Sequence, residues 1–467
     1  MRRYLVFAVV CLALMLASIG NFSAAVALPV IMSDLNTTII LAGWVLAGYG
    51  LVQTMAMPLA GKLSEMLGNR IMFLLSALFF TTGSVLSALA PDINLLIGAR
   101  AIQAIGGGSI MPCAAGIVSD NFPDKRQRYI GLFSSVLPIG MIVGPNVGGW
   151  LAEAFGWRAI FWMNVPIGVA LAVLTLILLP GDRKSNTKPN IDFIGAGLLF
   201  SSLFAVMFGL TELGHVREGV PWEVGALLIA LGVVLIYPFL RWEGRAKEPI
   251  IDLQLLTDRP FLAANIFNLV YGMCTLSIRA LIPLYAVILY KMSTLESGMI
   301  MTPWPAVMMG TSIIASFSLP KWGYRWPMLA GVLFVAVALV LLAMEPHGVK
   351  IGALELGVTP VLALIIGLCG IGNGVASPAA NNACIELLPD KVATISGLRA
   401  MFRNLGSAMG VAIAVVVLDT MGNGQQAFRV VLLSFAGLIF ITIPTILIMP
   451  VNANVKAYPK KPAKARI

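Results

Sequence analysis

Long apolar runs, each closed by a short polar or Pro/Gly-containing connection, recur along nearly the whole chain. A helix needs about 20 apolar residues to cross the hydrocarbon core of a bilayer. The pattern therefore predicts membrane-spanning helices near 4–32, 42–60, 71–90, 94–118, 129–152, 159–180, 192–213, 223–241, 261–290, 297–318, 326–345, 358–385, 393–418 and 427–450. Gly and Pro inside these runs do not veto helices, because both are common in membrane spans. The first run follows Met1-Arg2-Arg3 and continues past Pro29, too long for the apolar part of a secretory signal, so it is read as the first span. The expectation is an all-α integral membrane protein of 14 transmembrane helices.

Composition narrows the function classes. Of 467 residues 59% are hydrophobic and only 11% charged, too few charges to clothe a water-soluble globule. The net charge of +10 is unevenly placed: 22 of the 31 Lys and Arg fall in alternate connections and the tail. These are Arg2 and Arg3; Lys62 and Arg70; Lys125, Arg126 and Arg128; Arg183, Lys184 and Lys188; Arg241, Arg245, Lys247 and Arg259; Lys321 and Arg325; Lys391; and the tail from Lys456. The intervening connections hold Arg158, Arg217, Lys291, Lys350 and Arg429. The positive-inside rule then puts both termini in the cytoplasm of a cell with this chain in its inner (plasma) membrane. Topology and contact with anionic membrane lipids account for the charge, and no nucleic-acid partner is needed.

The five cysteines are scattered along apolar runs with no CxxC or Cys/His spacing, so neither a disulfide framework nor a metal site is expected. His215 and His347 fall in polar connections, which argues against a histidine proton relay inside the membrane. No GxxxxGK[ST] nucleotide loop occurs, and the spans show no clustered acids, histidines or nucleophile with a base. The chain reads as a non-enzyme without a cofactor.

Punctuating residues repeat. Ile105-Gly106-Gly107-Gly108, Pro112 and Pro123-Asp124-Lys125 reappear as Ile371-Gly372-Asn373-Gly374, Pro378 and Pro389-Asp390-Lys391, at an offset of 266. The same offset carries Gly140 and Gly144 onto Gly406 and Gly410, and an offset of 255 carries Gly68 and Arg70 onto Gly323 and Arg325. Two six-span bundles in parallel repeat are implied, with two further spans between them. The expected division is 1–180, 181–258, 259–450 and a basic tail 451–467. Parallel repeats suit a carrier whose halves rock about a central site.

Four stretches give the reading a family. They are Gly61-Lys62-Leu63-Ser64-Glu65-Met66-Leu67-Gly68-Asn69-Arg70; Arg100-Ala101-Ile102-Gln103; Gly140 to Gly149 with Gly144-Pro145 and Gly148-Gly149; and Gly156-Trp157-Arg158 through Asn164-Val165-Pro166-Ile167-Gly168. With Ile191-Asp192-Phe193 and Glu248-Pro249, they resemble the major facilitator superfamily, specifically its fourteen-span drug:proton antiporter branch. The resemblance implies the major facilitator fold, alternating access, and export of drugs or amphiphilic small molecules, with protons as the coupled partner. It also implies an antiporter motif at Gly140, Gly144, Pro145, Gly148 and Gly149 that packs its span against the other bundle. Arg100 with Gln103 is implied as a cavity pair.

On physical grounds, glycines at 61 and 68 bracketing Glu65 suggest a tight turn, with Glu65 and Arg70 latching one bundle to the other as a cytoplasmic gate. An arginine deep in a span costs about 2.5–3.5 kcal/mol on insertion scales, so Arg100 and Arg279 require a role, in the cavity or in a pair with backbone carbonyls. Asn21, Asn265, Asn268, Tyr271 and Trp304 are the expected polar and aromatic cavity contacts. Arg399 and Arg403, near the start of their span, are read as reaching the headgroups.

The pattern also breaks. Where the branch carries a proton-binding aspartate, about nine residues before Ala27-Leu28-Pro29, this chain has Gly20. Arginine cannot carry the proton instead, which leaves helix-end acids such as Asp34 and Glu212 as proton sites. A cavity with arginines and no central carboxylate conflicts with a cationic substrate. The alternatives are therefore a carrier of lipids, organic anions or metabolites with altered or absent coupling, and a non-transporting membrane scaffold or sensor.

Overall fold

The computed structural model describes residues 2–181, 192–213, 221–246, 249–251, 253, 257–347, 349–351, 354–422, 424–449 and 451. Ile191, Glu248, His215, Arg217, the basic residues 183, 184, 188 and 247, and the tail from Lys456 lie outside them. The helices are α1 (Arg2–Val26), α2 (Leu28–Asp34), α3 (Ile39–Leu67), α4 (Asn69–Leu89), α5 (Ile93–Asn121), α6 (Arg126–Ser134), α7 (Leu137–Phe155), α8 (Arg158–Leu178), α9 (Phe193–Leu213) and α10 (Trp222–Glu243). They continue as α11 (Arg259–Tyr290), α12 (Thr294–Met299), α13 (Pro303–Trp322), α14 (Arg325–Ala343), α15 (Val358–Leu387), α16 (Val392–Thr420), α17 (Gln425–Leu438) and α18 (Thr442–Ile448). A hairpin of two three-residue strands, Val349–Ile351 and Leu354–Leu356, joins α14 to α15.

Thirteen helical segments among the described residues are long and apolar enough to cross a membrane. To these α3 adds 29 residues whose two charges, Lys62 and Glu65, sit in its last two turns. Several predicted spans prove to be broken rather than continuous. The first stops at Val26 and restarts as α2 with Pro29 in its first turn; the fifth breaks at Ser135-Val136 ahead of Pro138; the last passes through a 3-10 turn at Ile439–Ile441. Proline lacks the N–H that would continue the helical ladder, so it is found where a new helix starts. Polar side chains start other helices: Thr38 caps α3, and the Asp92 carboxylate accepts the N–H groups of Asn94 and Leu95, each at 2.9 Å, at the start of α5.

Packing follows the repeat. In the first half α4 packs on α5 and α8, α3 on α5, and α1 on α7; in the second α15 packs on α13 and α14, and α11 on α16. The repeated glycines hold equivalent contacts. A Cβ on Gly106 would lie 2.4 Å from the Phe80 N of α4, and one on Gly372 would lie 2.7 Å from the Gly331 O of α14. Gly108 meets the Gln53 carbonyl of α3, and Gly374 the Met308 carbonyl of α13. Gly140 meets Ser18 of α1, and Gly406 the Leu269 carbonyl of α11. Small residues let backbones approach this closely, where dispersion substitutes for the hydrophobic drive that lipid cannot supply. Gly68 and Gly323 both adopt positive φ, +102° and +67°, between consecutive helices, a conformation that side chains with a Cβ resist.

Between the halves α9 and α10 form a hairpin locked by Gly209, Gly225 and Gly232, whose added Cβ atoms would lie 2.6–2.7 Å or 2.8 Å from the facing helix. Helix α9 touches both α3 and α16, while α10 is the least buried of the thirteen spans.

Candidate functional site

A cavity of about 220 Å³ lies where α1, α3, α5, α7, α11, α13, α15 and α16 converge. Arg279 of α11 and Arg399 and Arg403 of α16 contribute its charge, and among the described residues no carboxylate is in its lining. Asn21, Gln53, Asn373 and Asn404 add neutral polar groups, and Phe22, Met57, Met111, Met141, Trp304 and Met308 the apolar wall. The Arg279 guanidinium donates to Met141 Sδ at 3.4 Å and stands 5.5 Å from the Phe22 ring; Arg403 stands 5.9 Å from the Tyr271 ring. The Nε–H groups of Arg399 and Arg403 are buried without an acceptor among the described residues. A second cleft of about 500 Å³ lies between α3, α9, α11 and α16 and shares Gln53, Leu276, Arg279 and Asn404 with the cavity.

The structure brings together only part of the residue set predicted for this cavity. Asn21, Arg279 and Trp304 line it. Arg100 and Gln103 do not: both are fully buried inside the first bundle. Arg100 Nη1 donates to Gln103 Oε1 at 2.6 Å, its Nε donates to the Val45 carbonyl at 3.3 Å, and its guanidinium stands 4.1 Å from the Tyr49 ring. Gln103 passes the network on to Ser84 Oγ at 2.7 Å. Carbonyl, amide and ring partners offset the cost of a charge in this setting, so Arg100 fastens α3, α4 and α5 together. Asn265 and Asn268 turn back on the Phe261 and Ala264 carbonyls of their own helix, and the Tyr271 hydroxyl donates to the Gly372 carbonyl at 3.4 Å. These three brace α11 instead of facing the cavity. Gln53, Asn373, Arg399, Arg403 and Asn404 were absent from the predicted set, and the four-residue spacing of the two arginines was the available signal.

Below the cavity the bundles meet at the end that carries the basic connections. Glu65 Oε1 accepts the Thr394 N–H at 3.2 Å, in the first turn of α16. Arg126 and Glu386 form an ion pair at 3.1 Å, Asn381 donates to Ser134 Oγ at 2.8 Å, and Asn382 donates to the Gln127 carbonyl at 3.2 Å. Backbones touch here as well: an added Cβ at Gly61 would lie 2.6 Å from the Ala393 O, and one at Gly397 would lie 2.3 Å from the Met57 O. The gate predicted from Gly61, Glu65, Gly68 and Arg70 is thus differently built. Gly61 is a close-approach residue within α3, Gly68 alone makes the turn, and Glu65 grips a helix N-terminus, while Arg70 donates to the Leu176 carbonyl of its own bundle at 2.5 Å.

The glycine face of α7 also departs from expectation. Gly140, Gly144 and Gly148 press on Ser18, Phe22 and Ser23 of α1, in the same bundle, and Ser23 Oγ donates to the Gly144 carbonyl at 2.7 Å. Pro145 sits inside α7 and Gly149 has only Val26 nearby, at 3.7 Å from its added Cβ. The four-residue spacing predicts a smooth face but not which helix will cover it. Opposite, Gly20 faces α4 and α8: its added Cβ would lie 3.1 Å from Asn164 Nδ2 and 3.3 Å from Phe80. Both amide atoms of Asn164 are buried without a partner among the described residues.

Of the two predicted proton acids, Asp34 ends α2, where its Oδ2 accepts from Trp157 Nε1 at 2.8 Å and Arg158 Nη1 at 2.6 Å. These hydrogen bonds, the indole first, hold its carboxyl below the usual value of 3.8. Glu212 lies in the last turn of α9, next to Leu210 and Thr211, which line the cleft.

Comparisons with known proteins bear on the whole chain. The family model described as Major Facilitator Superfamily matches residues 10–411. Multidrug resistance protein 3 of Bacillus subtilis (strain 168) is 31% identical over 405 residues, 86% of this chain and 77% of that protein. Riboflavin transporter RibZ of Clostridioides difficile (strain 630) is 28% identical over 416 residues, 88% of this chain and 87% of that one. Among solved structures, that of the human organic anion transporter MFSD10 (TETRAN) superposes with a TM-score of 0.71 at 15% identity, covering 95% of this chain and 99% of that one, a likeness of fold alone.

Proposed function

Because the chain belongs to the Major Facilitator Superfamily, we propose that it is a secondary active exporter of drugs or other amphiphilic small molecules. The observation that carries this reading is a cavity where helices of two repeat-related bundles converge, with the bundles joined beneath it at one end. Alternating access requires that arrangement: the contacts at the basic end must break before the cavity can face the other way. The name of Multidrug resistance protein 3 supports the substrate class.

The bundles are residues 1–180 and 259–450, with the α9–α10 hairpin between them. The basic end faces the cytoplasm, as the placement of Lys and Arg supports, and the membrane is the cell's inner membrane. Glu65, Thr394, Arg126 and Glu386 form the cytoplasmic gate. Export draws on the proton gradient. Its acid is Glu212, beside the cleft, because Asp34 is held charged by Trp157 and Arg158.

The test is uptake of a labelled amphiphile into inverted proteoliposomes with and without an imposed pH gradient. Accumulation that needs the gradient and is lost in Glu212→Gln supports both export and its coupling. Absence of uptake under any gradient overturns the exporter reading.

A further inference from the structure

We propose that the cavity is an anion site, in which Arg279, Arg399 and Arg403 bind the negatively charged headgroup of an amphiphile whose apolar part lies in the adjoining cleft. The inference rests on the exporter reading and gives its substrate a charge.

Among the described residues, three cationic side chains line this cavity and no carboxylate does. Their environments differ sharply from that of Arg100. Arg100 places its Nε on a carbonyl and one Nη on an amide oxygen, beside the Tyr49 ring, and leaves its Nη2 without an acceptor among the described residues. Arg399 and Arg403 each keep a buried Nε–H without an acceptor among the described residues, and Arg279 donates only to a thioether sulfur, a weak acceptor. A guanidinium that serves packing alone is expected to find oxygen acceptors, as Arg100 does with the Val45 carbonyl and the Gln103 amide, whereas no oxygen acceptor of Arg279, Arg399 or Arg403 is found among the described residues. Left with free donors around a shared space, the three present what a sulfonate, phosphate or carboxylate group binds: charge and forked N–H groups. A lipophilic cation entering the same space meets like charge with nothing to offset it.

The second half of the argument is shape. The cleft joins the cavity at Gln53, Leu276, Arg279 and Asn404, so a molecule with its charged end at the arginines continues directly into it. Beyond that junction the walls are small or apolar, with Gly43, Ala47 and Gly50 of α3 facing Ala408, Val411 and Val415 of α16, and α9 closing the side. An alkyl or aryl tail fits such a wall, whereas a hydrophilic anion gains nothing from it.

The test uses the full-length protein in nanodiscs and two dansyl-labelled probes of equal chain length, one ending in sulfonate and one in trimethylammonium. The expected result is tighter binding of the sulfonate by about tenfold or more, as loss of hydrogen bonds to a charged group implies. Arg403→Gln and Arg279→Gln each remove most of that preference, while Arg403→Lys retains part of it. Gln53→Glu, which adds a carboxylate that competes for the guanidinium donors without deleting any arginine, removes most of the preference; this variant decides the matter should an arginine variant fail to fold. Equal binding of the probes, preference for the cation, or a sulfonate affinity unmoved by both Arg403→Gln and Gln53→Glu overturns the proposal. Repeating the titration in phosphatidylglycerol in place of phosphatidylcholine nanodiscs identifies the source of the anion. A large loss of sulfonate binding, with Gln53→Glu no longer altering what remains, assigns the site to a membrane lipid headgroup, and an Arg-dependent sulfonate affinity that persists assigns it to a single-chain amphiphile. In proteoliposomes, arginine-dependent sulfonate binding without transport of either probe upholds the site and overturns the exporter reading. Transport of the cation with no sulfonate binding does the reverse.

Discussion

The Glu65 carboxylate of α3 accepts the backbone N–H of Thr394 in the first turn of α16, across the boundary between the two bundles. A helix N-terminus carries unsatisfied N–H groups and partial positive charge, so a carboxylate there is stabilising by about 0.3–1 kcal/mol, and up to ~2 when partly buried. Glu65→Gln keeps the size but surrenders the charge. It is expected to shift the balance toward opening at the basic end by roughly 2- to 30-fold. Labelling of a cysteine placed at Met111, in the cavity wall, from the basic side of oriented vesicles should rise accordingly; unchanged labelling would mean that Glu65 does not hold the gate.

Gly397 offers a steric test of the same closure. Its added Cβ would lie 2.3 Å from the Met57 O, a backbone atom that cannot swing aside. Gly397→Ala should block closure and abolish export while leaving the protein monodisperse, because each bundle's internal packing is untouched. Retention of wild-type transport would show that the halves separate here with little penalty.

The Asp34–Arg158 ion pair, at the end opposite the basic connections, sets a pH limit. Asp34 has a folded-state carboxyl held below 3.8 by Trp157 and then Arg158, so its contribution to stability is present above that value and is lost as pH falls through the lower, folded one. Between pH 6 and 8, roughly three units above the usual carboxylate range, it stays ionised. Asp34→Asn should therefore leave the dependence of export on the pH gradient unchanged; loss of that dependence would identify Asp34 as a proton carrier after all.

Gly20 and Asn164 form a ready recess. The atoms nearest an added Cβ at Gly20 are side-chain tips, of which Asn164 can turn, so Gly20→Asp should be accommodated and give the amide a partner. Combined with Glu212→Gln, it is expected to restore gradient dependence to export. Gradient-independent transport in the double variant would show that a carboxylate at this position is not coupled to the cycle.

Arg100 should behave as a fastener. Arg100→Lys loses the forked donation to Val45 and Gln103 and is expected to lower the melting temperature clearly, without changing headgroup preference in the dansyl-probe titration. A change in preference at unaltered stability would return Arg100 to the binding machinery.

Periodicity and punctuation made the architecture legible: apolar run lengths located the spans, and Gly68 with Gly323, where φ is positive, or Gly106 with Gly372, where backbones touch, exposed the repeat because a side chain is disfavoured at those positions. The site was legible only in part, because a sequence reports that an arginine lies in a span but not which way it points. Arg100 and Arg279 look alike along the chain, yet one faces Tyr49 and the other the cavity. Arg399 and Arg403 were assigned to headgroups from their nearness to a helix start. Helix α16 has 29 residues, about 43 Å at 1.5 Å per residue, well beyond the ~30 Å hydrocarbon core, so nearness to its start does not fix depth, and both arginines line the cavity.

The α9–α10 hairpin is the element that leans on both bundles, through α9 against α3 and against α16. When those two helices move past each other, α9 cannot keep both neighbours. Its glycine lock to α10 makes the hairpin travel as one plank, so it must slide along one face while riding with the other. The wall beside the cleft is then a sliding shutter, and because α10 is the span least covered by protein, the bilayer around it is expected to share in the work of each transport cycle. Bilayer thickness and stiffness should thereby enter the turnover rate of this protein through two helices that contribute no charged group to its central cavity.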